Sequence, residues 1–267
     1  MNPNTVDLTI KLLDQIILVA RQAGNLIMDY YKFPQRCTIY TKSDSSPVTK
    51  ADQEAEELII KNLENITPEI PVIAEEIAEQ KKLPVLRSYH RYFWLVDPLD
   101  GTRDFIQRSG EFTVNIGLVC NQEAVLGVIY APLRETIYAA IRPLNLVFRE
   151  ESTLKRITIK TRSQERTQAK ILNSKRQHPL SIMPMLPPDL TFTEHEFVSS
   201  SLKFCLIAEG QADFYPRRTQ IMEWDTAAGQ AILEAAGGHI RQIDGSPLLY
   251  RKENFINPAF VAYGNFI

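Results

Sequence analysis

The chain has 267 residues, 30 Lys and Arg against 32 Asp and Glu, and a formal net charge of -2. That balance excludes a nucleic-acid binder held by a basic surface, and no apolar run approaches the ~20 residues that a membrane span needs. With 44% hydrophobic residues it has ordinary water-soluble composition, and its length predicts one large or two small domains.

Leu8, Leu12, Ile16, Val19, Ala20, Ala23 and Ile27 recur at three- and four-residue spacing, which predicts an amphipathic first helix stopped by Pro34. Residues 42–47 are polar and read as a loop. Thr49 is a candidate N-cap with Asp52 as capping-box partner, opening a second helix with Leu58, Ile59, Leu63 and Ile66 on its apolar face. After Pro68 and Pro71 the period changes. Residues 72–74 and 92–96 are short β-forming runs, the first ending on Glu75 and Glu76, the second on Asp97. Segments 113–120, 123–130 and 136–141 predict an antiparallel meander.

The polar stretch around residues 160–170 predicts a boundary, dividing the chain into an α+β half (1–160) and an α/β half (161–267). Beyond it, 169–172, 204–208 and 239–243 read as strands. Four prolines within 179–188 forbid a long helix there. Residues 225–236 read as a helix stopped by Gly237-Gly238.

Cys37, Cys120 and Cys205 are an odd, scattered set, which predicts a reducing compartment. Residues 1–15 carry charges inside their apolar pattern, unlike a signal peptide. The expectation is a cytoplasmic protein.

The chemistry-bearing residues are acids at element ends: Glu75, Glu76, Asp97, Asp100 and Asp225. Buried near one another, carboxylates need a compensating cation, and Mg²⁺ favours carboxylate oxygens. His90, His178, His195 and His239 are dispersed and form no softer metal site. The segment Asp97-Pro98-Leu99-Asp100-Gly101-Thr102 admits two readings, a plain Asp-Gly turn or a metal and phosphate site. Gly101 allows close backbone approach, and a helix opening at Thr102 would offer free N–H groups to a phosphate. Asp52 could cap its helix or act on Thr102. Lys203 could be a solvated surface lysine or a substrate contact. Strand alternation would turn Glu76 away from Glu75.

The 97–102 segment resembles the D-P-[IL]-D-G-T signature of the inositol monophosphatase-like, lithium-sensitive phosphatase superfamily. Trp224-Asp225-Thr226-Ala227-Ala228-Gly229 resembles its W-D-x-A-A-G signature, Glu75-Glu76 its acid pair, and Ser46-Pro47-Val48-Thr49-Lys50-Ala51-Asp52 its first acidic block. Within it, residues 110–116, 200–205, 208–213, 215–217 and the tail Asn254-Phe255-Ile256-Asn257-Pro258 are similar to CysQ-type 3'(2'),5'-bisphosphate nucleotidases.

The resemblance implies a layered αβαβα sandwich, two sheets with helices between and outside. It implies lithium-sensitive conversion of adenosine 3',5'-bisphosphate, a by-product of sulfate assimilation, to AMP and phosphate. Two or three Mg²⁺ ions would be held by Glu75, Asp97, the Leu99 carbonyl, Asp100 and Asp225. Asp52 and Thr102 would position and activate water. Gly101 and Thr102 would hold phosphate, with Glu75, Leu99, Asp100 and Asp225 also facing the substrate; Ser200, Lys203 and Arg217 would contact its nucleotide side.

One departure concerns the family's Ser-Arg-Ser-His block. This chain reads Ser174-Lys175-Arg176-Gln177-His178, with the histidine replaced by Gln177 or displaced to His178. The resemblance implies a small-molecule nucleotide partner, no nucleic acid, no transmembrane segment, a monomer or homodimer, and at most peripheral attachment to the inner face of the inner membrane. Rival readings are an inositol monophosphate or fructose 1,6-bisphosphate phosphatase, a non-catalytic nucleotide or metal sensor, and an enzyme trimming oligonucleotides from the 3' end.

Overall fold

The structure, a computed structural model, describes residues 6–42, 46–80, 86, 90–163, 168–175, 177–188 and 190–265. Parts of the predicted 42–47 loop and of the 160–170 boundary stretch lie outside these residues.

The chain opens with helix α1 (Ile10–Lys32), a small antiparallel pair of β1 (Ile39–Thr41) and β2 (Pro47–Thr49), and helix α2 (Lys50–Ile66). Thr9 caps α1, its side-chain oxygen accepting from the Leu12 N–H at 3.2 Å, and Pro34 lies two residues past its last turn. Then follow β3 (Val72–Ala74), α3 (Glu75–Glu79), β4 (Tyr92–Asp100), α4 (Thr102–Ile106), β5 (Thr113–Cys120), β6 (Glu123–Ala131), β7 (Thr136–Ile141), β8 (Leu146–Glu150) and β9 (Arg156–Thr158). These seven strands form one sheet in sequence order, β3 parallel to β4 and the rest antiparallel. The expected meander is therefore present and runs two strands further.

The remainder supplies β10 (Gln168–Asn173), β11 (Thr191–Phe197), α5 (Leu202–Ala208), β12 (Phe214–Arg217), β13 (Ile221–Met222), α6 (Ala227–Ala235), β14 (His239–Gln242), β15 (Ile256–Asn257) and β16 (Phe260–Tyr263). A five-stranded sheet runs β11-β10-β12-β16-β14, and β13 pairs with β15 separately.

The layers follow from which faces are apolar. Helices α1 and α2 bury Leu13, Ile16, Ala20, Ala55 and Ile59 against Trp94, Val114, Ile116 and Val128 on one face of the seven-stranded sheet. On its other face α6 crosses β5, β6 and β7 and also meets β14, while α5 packs between α6 and β12. The approach is close because the sheet is bare there. A Cβ built on Gly127 would fall 2.3 Å from the Ala228 carbonyl oxygen, and one on Gly117 2.8 Å from Ala227 Cβ. The Ala-Ala-Gly run of the second motif is thus a packing requirement. Beyond the five-stranded sheet the outer layer is thin. Two 3₁₀ turns, Pro179–Ser181 and Met183–Met185, lay Ile182 and Leu186 on Ala169, Ile171 and Phe214. The four prolines leave no room for an α-helix. The order is that of the αβαβα sandwich, with the last layer reduced to these 3₁₀ turns among the described residues.

Three expectations are corrected. Residues 204–208 are helical, inside α5, not a strand. All seven residues of α5 are buried and residues 204–208 are all apolar, so the segment shows no period to separate helix from strand. The 225–236 helix divides into a 3₁₀ turn (Glu223–Asp225) followed by α6. Glu75 and Glu76 do not continue β3 but begin α3, so strand alternation does not set their directions.

Candidate active site

A cavity of about 420 Å³ opens where β4, α4, α5 and β12 meet. Its lining includes Glu75, Asp100, Gly101, Thr102, Ser200, Lys203, Arg217 and Asp225. Asp52, Asp97 and Leu99 are buried and do not line it.

The capping box of α2 forms as the sequence predicts. Asp52 Oδ2 accepts from the Thr49 N–H at 2.9 Å and the Thr49 hydroxyl at 2.6 Å. Its other oxygen, Oδ1, lies 3.0 Å from the Thr102 hydroxyl. The two readings of Asp52 are therefore compatible: one oxygen caps and the other faces Thr102. Burial raises its pKa to about 6, against the hydrogen bonds from Thr49 and with help from Glu75.

β4 delivers Asp97 and Asp100. Asp97 is paired across the ladder with Asn115 and accepts from the Leu99 N–H at 3.0 Å. The Leu99 carbonyl oxygen lies 3.2 Å from the Thr102 hydroxyl. Gly101 then turns the chain into α4 at φ +97°, and a Cβ there would meet the Glu111 carbonyl oxygen at 2.8 Å. That turn places Thr102, Arg103 and Asp104 on the cavity wall.

Asp225 comes from the other half of the chain. Its Oδ2 accepts from the Met222 N–H at 2.9 Å. The Met222 carbonyl accepts in turn from Asn257 Nδ2 at 3.1 Å, which gives the tail motif a structural purpose.

Glu75 faces the cavity with Lys42 beside it, Nζ to Oε1 2.5 Å. The same ammonium sits 2.7 Å from Glu76. Glu76 is buried, does not line the cavity, and is pushed up to about 8 by burial and by Glu75. Behind it Glu56 accepts from the Glu76 and Ile77 N–H groups at 2.7 and 2.9 Å, capping α3 from a neighbouring helix. Neither Lys42 nor Glu56 was singled out from the sequence. Their partners lie 33 and 20 residues away, so no local motif marks them.

The opposite wall carries cations. Lys203 is 3% exposed, which removes the solvated-lysine reading. Its ammonium donates to the Ser200 carbonyl at 2.6 Å and the Val198 carbonyl at 3.1 Å and lies 4.8 Å from the Tyr215 ring centre. Burial lowers its pKa to about 8. Ser200 adopts φ +57°, uncommon for a residue with a side chain. Arg217 is half-buried and donates from Nε to the Thr219 carbonyl at 3.2 Å. Lys175 bridges Asp104 and Glu111, each at 2.9 Å.

The Gln177/His178 question resolves structurally. Gln177 is buried away from the cavity, donating to the Pro216 carbonyl at 3.0 Å and accepting from the Arg218 N–H at 3.1 Å. His178 is exposed and caps the turn at Pro179. From this block Ser174 and Lys175 reach the cavity, while Arg176 lies outside the described residues.

Asp97 is raised well above the usual carboxylate range by burial and by the charges of Glu75, Asp100 and Asp225. Asp225 is raised to about 8 by burial, Asp100 and Glu75. Acids from three separate segments therefore feel one another in one place. Among the described residues no three His, Cys, Asp or Glu side chains already close into a ligating group; Lys42 draws Glu75 toward itself. The donor set nevertheless fits a hard divalent cation in kind. It is all oxygen, it is strongly anionic, and two buried oxygens on β5 beside Asp97 and Asp100, Thr113 Oγ1 and Asn115 Oδ1, have no partner.

Comparison with known proteins agrees with this geometry. A model of the inositol monophosphatase family matches residues 11–265. The chain is 40% identical over 250 residues to the 3'(2'),5'-bisphosphate nucleotidase CysQ of Escherichia coli (strain K12), covering 93% of this chain and 98% of that protein. It is 34% identical to the protein of the same name from Haemophilus influenzae, covering 95% and 93%. The crystal structure of CysQ from Bacteroides thetaiotaomicron superposes with a TM-score of 0.76 at 32% identity, over 97% of this chain and 99% of that one.

Proposed function

This chain belongs to the inositol monophosphatase family, and from that premise we propose that it hydrolyses adenosine 3',5'-bisphosphate to AMP and phosphate. The observation that carries the reading is one cavity with acids at its floor and the buried ammonium of Lys203 in its wall. The relatives' names supply the substrate class.

We assign Glu75, Asp97, the Leu99 carbonyl, Asp100 and Asp225 to hold two or three Mg²⁺ ions. Bound there, the ions would neutralise the phosphate dianion, lower the pKa of water and stabilise the departing alkoxide. The chain's own residues do the rest. The Thr102 hydroxyl takes a proton from the attacking water as its own proton moves to Asp52 Oδ1, 3.0 Å away. The N–H groups of Gly101 and Thr102 cradle the scissile phosphate. Lys203 spends two of its three donors on backbone carbonyls and turns the third, with Ser200 and Arg217, to the nucleotide's second anionic end. On this reading most of the acidic floor belongs to residues 1–160, and residues 161–267 supply its Asp225 and the nucleotide contacts.

Among the described residues no helix is long and apolar enough to cross a membrane. Removing the 3'-phosphate would recycle a by-product of sulfate activation. Li⁺, close to Mg²⁺ in radius with half the charge, would occupy a weak metal position and inhibit.

The test is phosphate release from adenosine 3',5'-bisphosphate, inositol 1-phosphate and fructose 1,6-bisphosphate at neutral pH, with Mg²⁺, with EDTA and with millimolar LiCl. Preference for the nucleotide, dependence on Mg²⁺ and inhibition by Li⁺ are expected. A preference for either sugar phosphate would replace the nucleotide reading.

A further inference from the structure

Ser201 is 2% exposed and sits between the two walls of the cavity. Its hydroxyl oxygen lies 2.7 Å from Asp100 Oδ2 and 3.1 Å from the Asp225 carbonyl oxygen, and it accepts from Asn115 Nδ2 at 2.8 Å. The same Asn115 amide lies 3.3 Å from Asp100 Oδ2. A carboxylate needs donors, so the amide must turn its NH₂ toward Asp100 and Ser201. Ser201 has one proton to give, and the shorter, charge-assisted contact to Asp100 claims it.

The hydroxyl thus touches side chain or backbone of two acids that come from opposite halves of the chain. It also belongs to the segment that forms the cationic wall. Ser200, its neighbour, lines the cavity at φ +57°, and the Ser200 carbonyl holds the Lys203 ammonium at 2.6 Å. Any displacement of Asp100 is carried through one hydrogen bond into the residues that grip Lys203.

We propose that Ser201 is a positioning residue that couples the two walls. It holds Asp100 and the Ser200–Lys203 segment in one arrangement, so that divalent cation and nucleotide each favour the other's binding. The proposal rests on the metal and nucleotide roles assigned above. By linkage the coupling is reciprocal, and it can be read without turnover.

The experiment measures the Kd of AMP by calorimetry, without and with saturating Mg²⁺, in the wild type and in Ser201→Ala. Melting in EDTA is followed in parallel. In the wild type Mg²⁺ should tighten AMP severalfold. In Ser201→Ala that ratio should fall to near one while the melting temperature stays within about 3 °C, a split that loss of packing alone would not produce. Should Ser201→Ala fold poorly, Ser201→Cys keeps the volume, weakens the donor and carries the same comparison. An unchanged ratio in a folded variant overturns the proposal. A wild type that shows the coupling yet releases no phosphate from adenosine 3',5'-bisphosphate overturns the proposed activity and leaves the coupling standing. A wild type blind to AMP overturns the coupling, and phosphate release from adenosine 3',5'-bisphosphate then judges the activity separately.

Discussion

The acidic floor and the cationic wall of the cavity hold their charges differently: most floor acids lean on backbone N–H groups or hydroxyls nearby in sequence, and the wall cations lean on carbonyls and on acids from elsewhere in the chain. On the floor three acids are steered from close by in sequence: Asp52 by Thr49, Asp97 by the Leu99 N–H and Asp225 by the Met222 N–H. These three carry their support within three residues, whereas Glu75 is held by Lys42, 33 positions away, and Asp100 by Ser201, 101 positions away. On the wall Lys175 is held by Asp104 and Glu111, distant in the chain, and Lys203 by carbonyls exposed where the chain leaves β11 for α5. Lys175 therefore finds its partners only after the two halves have packed, while Lys203 is held by carbonyls three and five residues away; on the floor it is Asp100 that waits for the other half, through Ser201.

If that contrast is right, neutralising a floor acid should cost chemistry and leave the fold intact. Asp225→Asn keeps the shape, and its amide oxygen can still accept from the Met222 N–H. We expect kcat to fall by roughly 10²–10³-fold, the range for groups acting on transition-state charge. More than a tenth of wild-type rate at saturating Mg²⁺ would contradict the assignment. The same variant should melt higher than wild type in EDTA at pH 8, because it removes a buried charge whose pKa is raised to about 8. Asp100→Asn should lose turnover similarly.

Thr102→Ala comes next. It leaves Asp52 capped by Thr49 and removes the hydroxyl between Asp52 and the water, together with one methyl group. A kcat loss of about 10²–10⁴-fold with an unchanged melting temperature is expected. A loss of melting temperature with little loss of rate would return Asp52 to a purely structural role.

The same division explains what could be read from the sequence. The motif of Asp97, Leu99, Asp100, Gly101 and Thr102 was legible because its residues are contiguous and the structure uses them contiguously. Asp52 was legible through its capping box. Ser201, Asn115, Lys42 and Glu56 were not assigned roles, since each acts on a residue between 15 and 101 positions away. Of the fold, α1, α2 and the meander were written in periodicity. α5 was misread because burial on every side erased its period. β12 was missed because Pro216 argues against a central strand; β10 pairs with it only at Ile171–Phe214, so the proline lies past the end of that ladder.

A change in the wall should sharpen the comparison by touching specificity before chemistry. Lys203→Met removes the ammonium and leaves two carbonyls unpaired, so some stability is lost. KM for adenosine 3',5'-bisphosphate should rise about 10–100-fold with kcat within about fivefold. KM for p-nitrophenyl phosphate, which has no second anionic end, should not move. Equal effects on both substrates would place Lys203 on the floor side of the division.

The smallest effect is on stability against pH, and it isolates the floor. Asp52, Glu56, Glu76 and Asp225 have folded-state pKa values raised to about 6, 7, 8 and 8. Carboxyls raised on folding hold their protons more tightly in the native state than in the unfolded one. Their contribution is therefore complete near pH 4 and is lost as pH climbs through the folded values. In EDTA the melting temperature should decline between pH 5 and pH 8, opposite to the trend of a protein whose acids are salt-bridged. Saturating Mg²⁺ should flatten or reverse the slope, since cations bind the ionised acids and the folded state alone brings those acids together. Asp225→Asn should flatten it partly, and Lys203→Met, with a single buried base lowered to about 8, should leave the acid limb in place. A metal-free melting temperature that rises from pH 5 to pH 8 would mean that burial and mutual repulsion do not raise these acids in the folded chain, and the electrostatic account of the floor would fail.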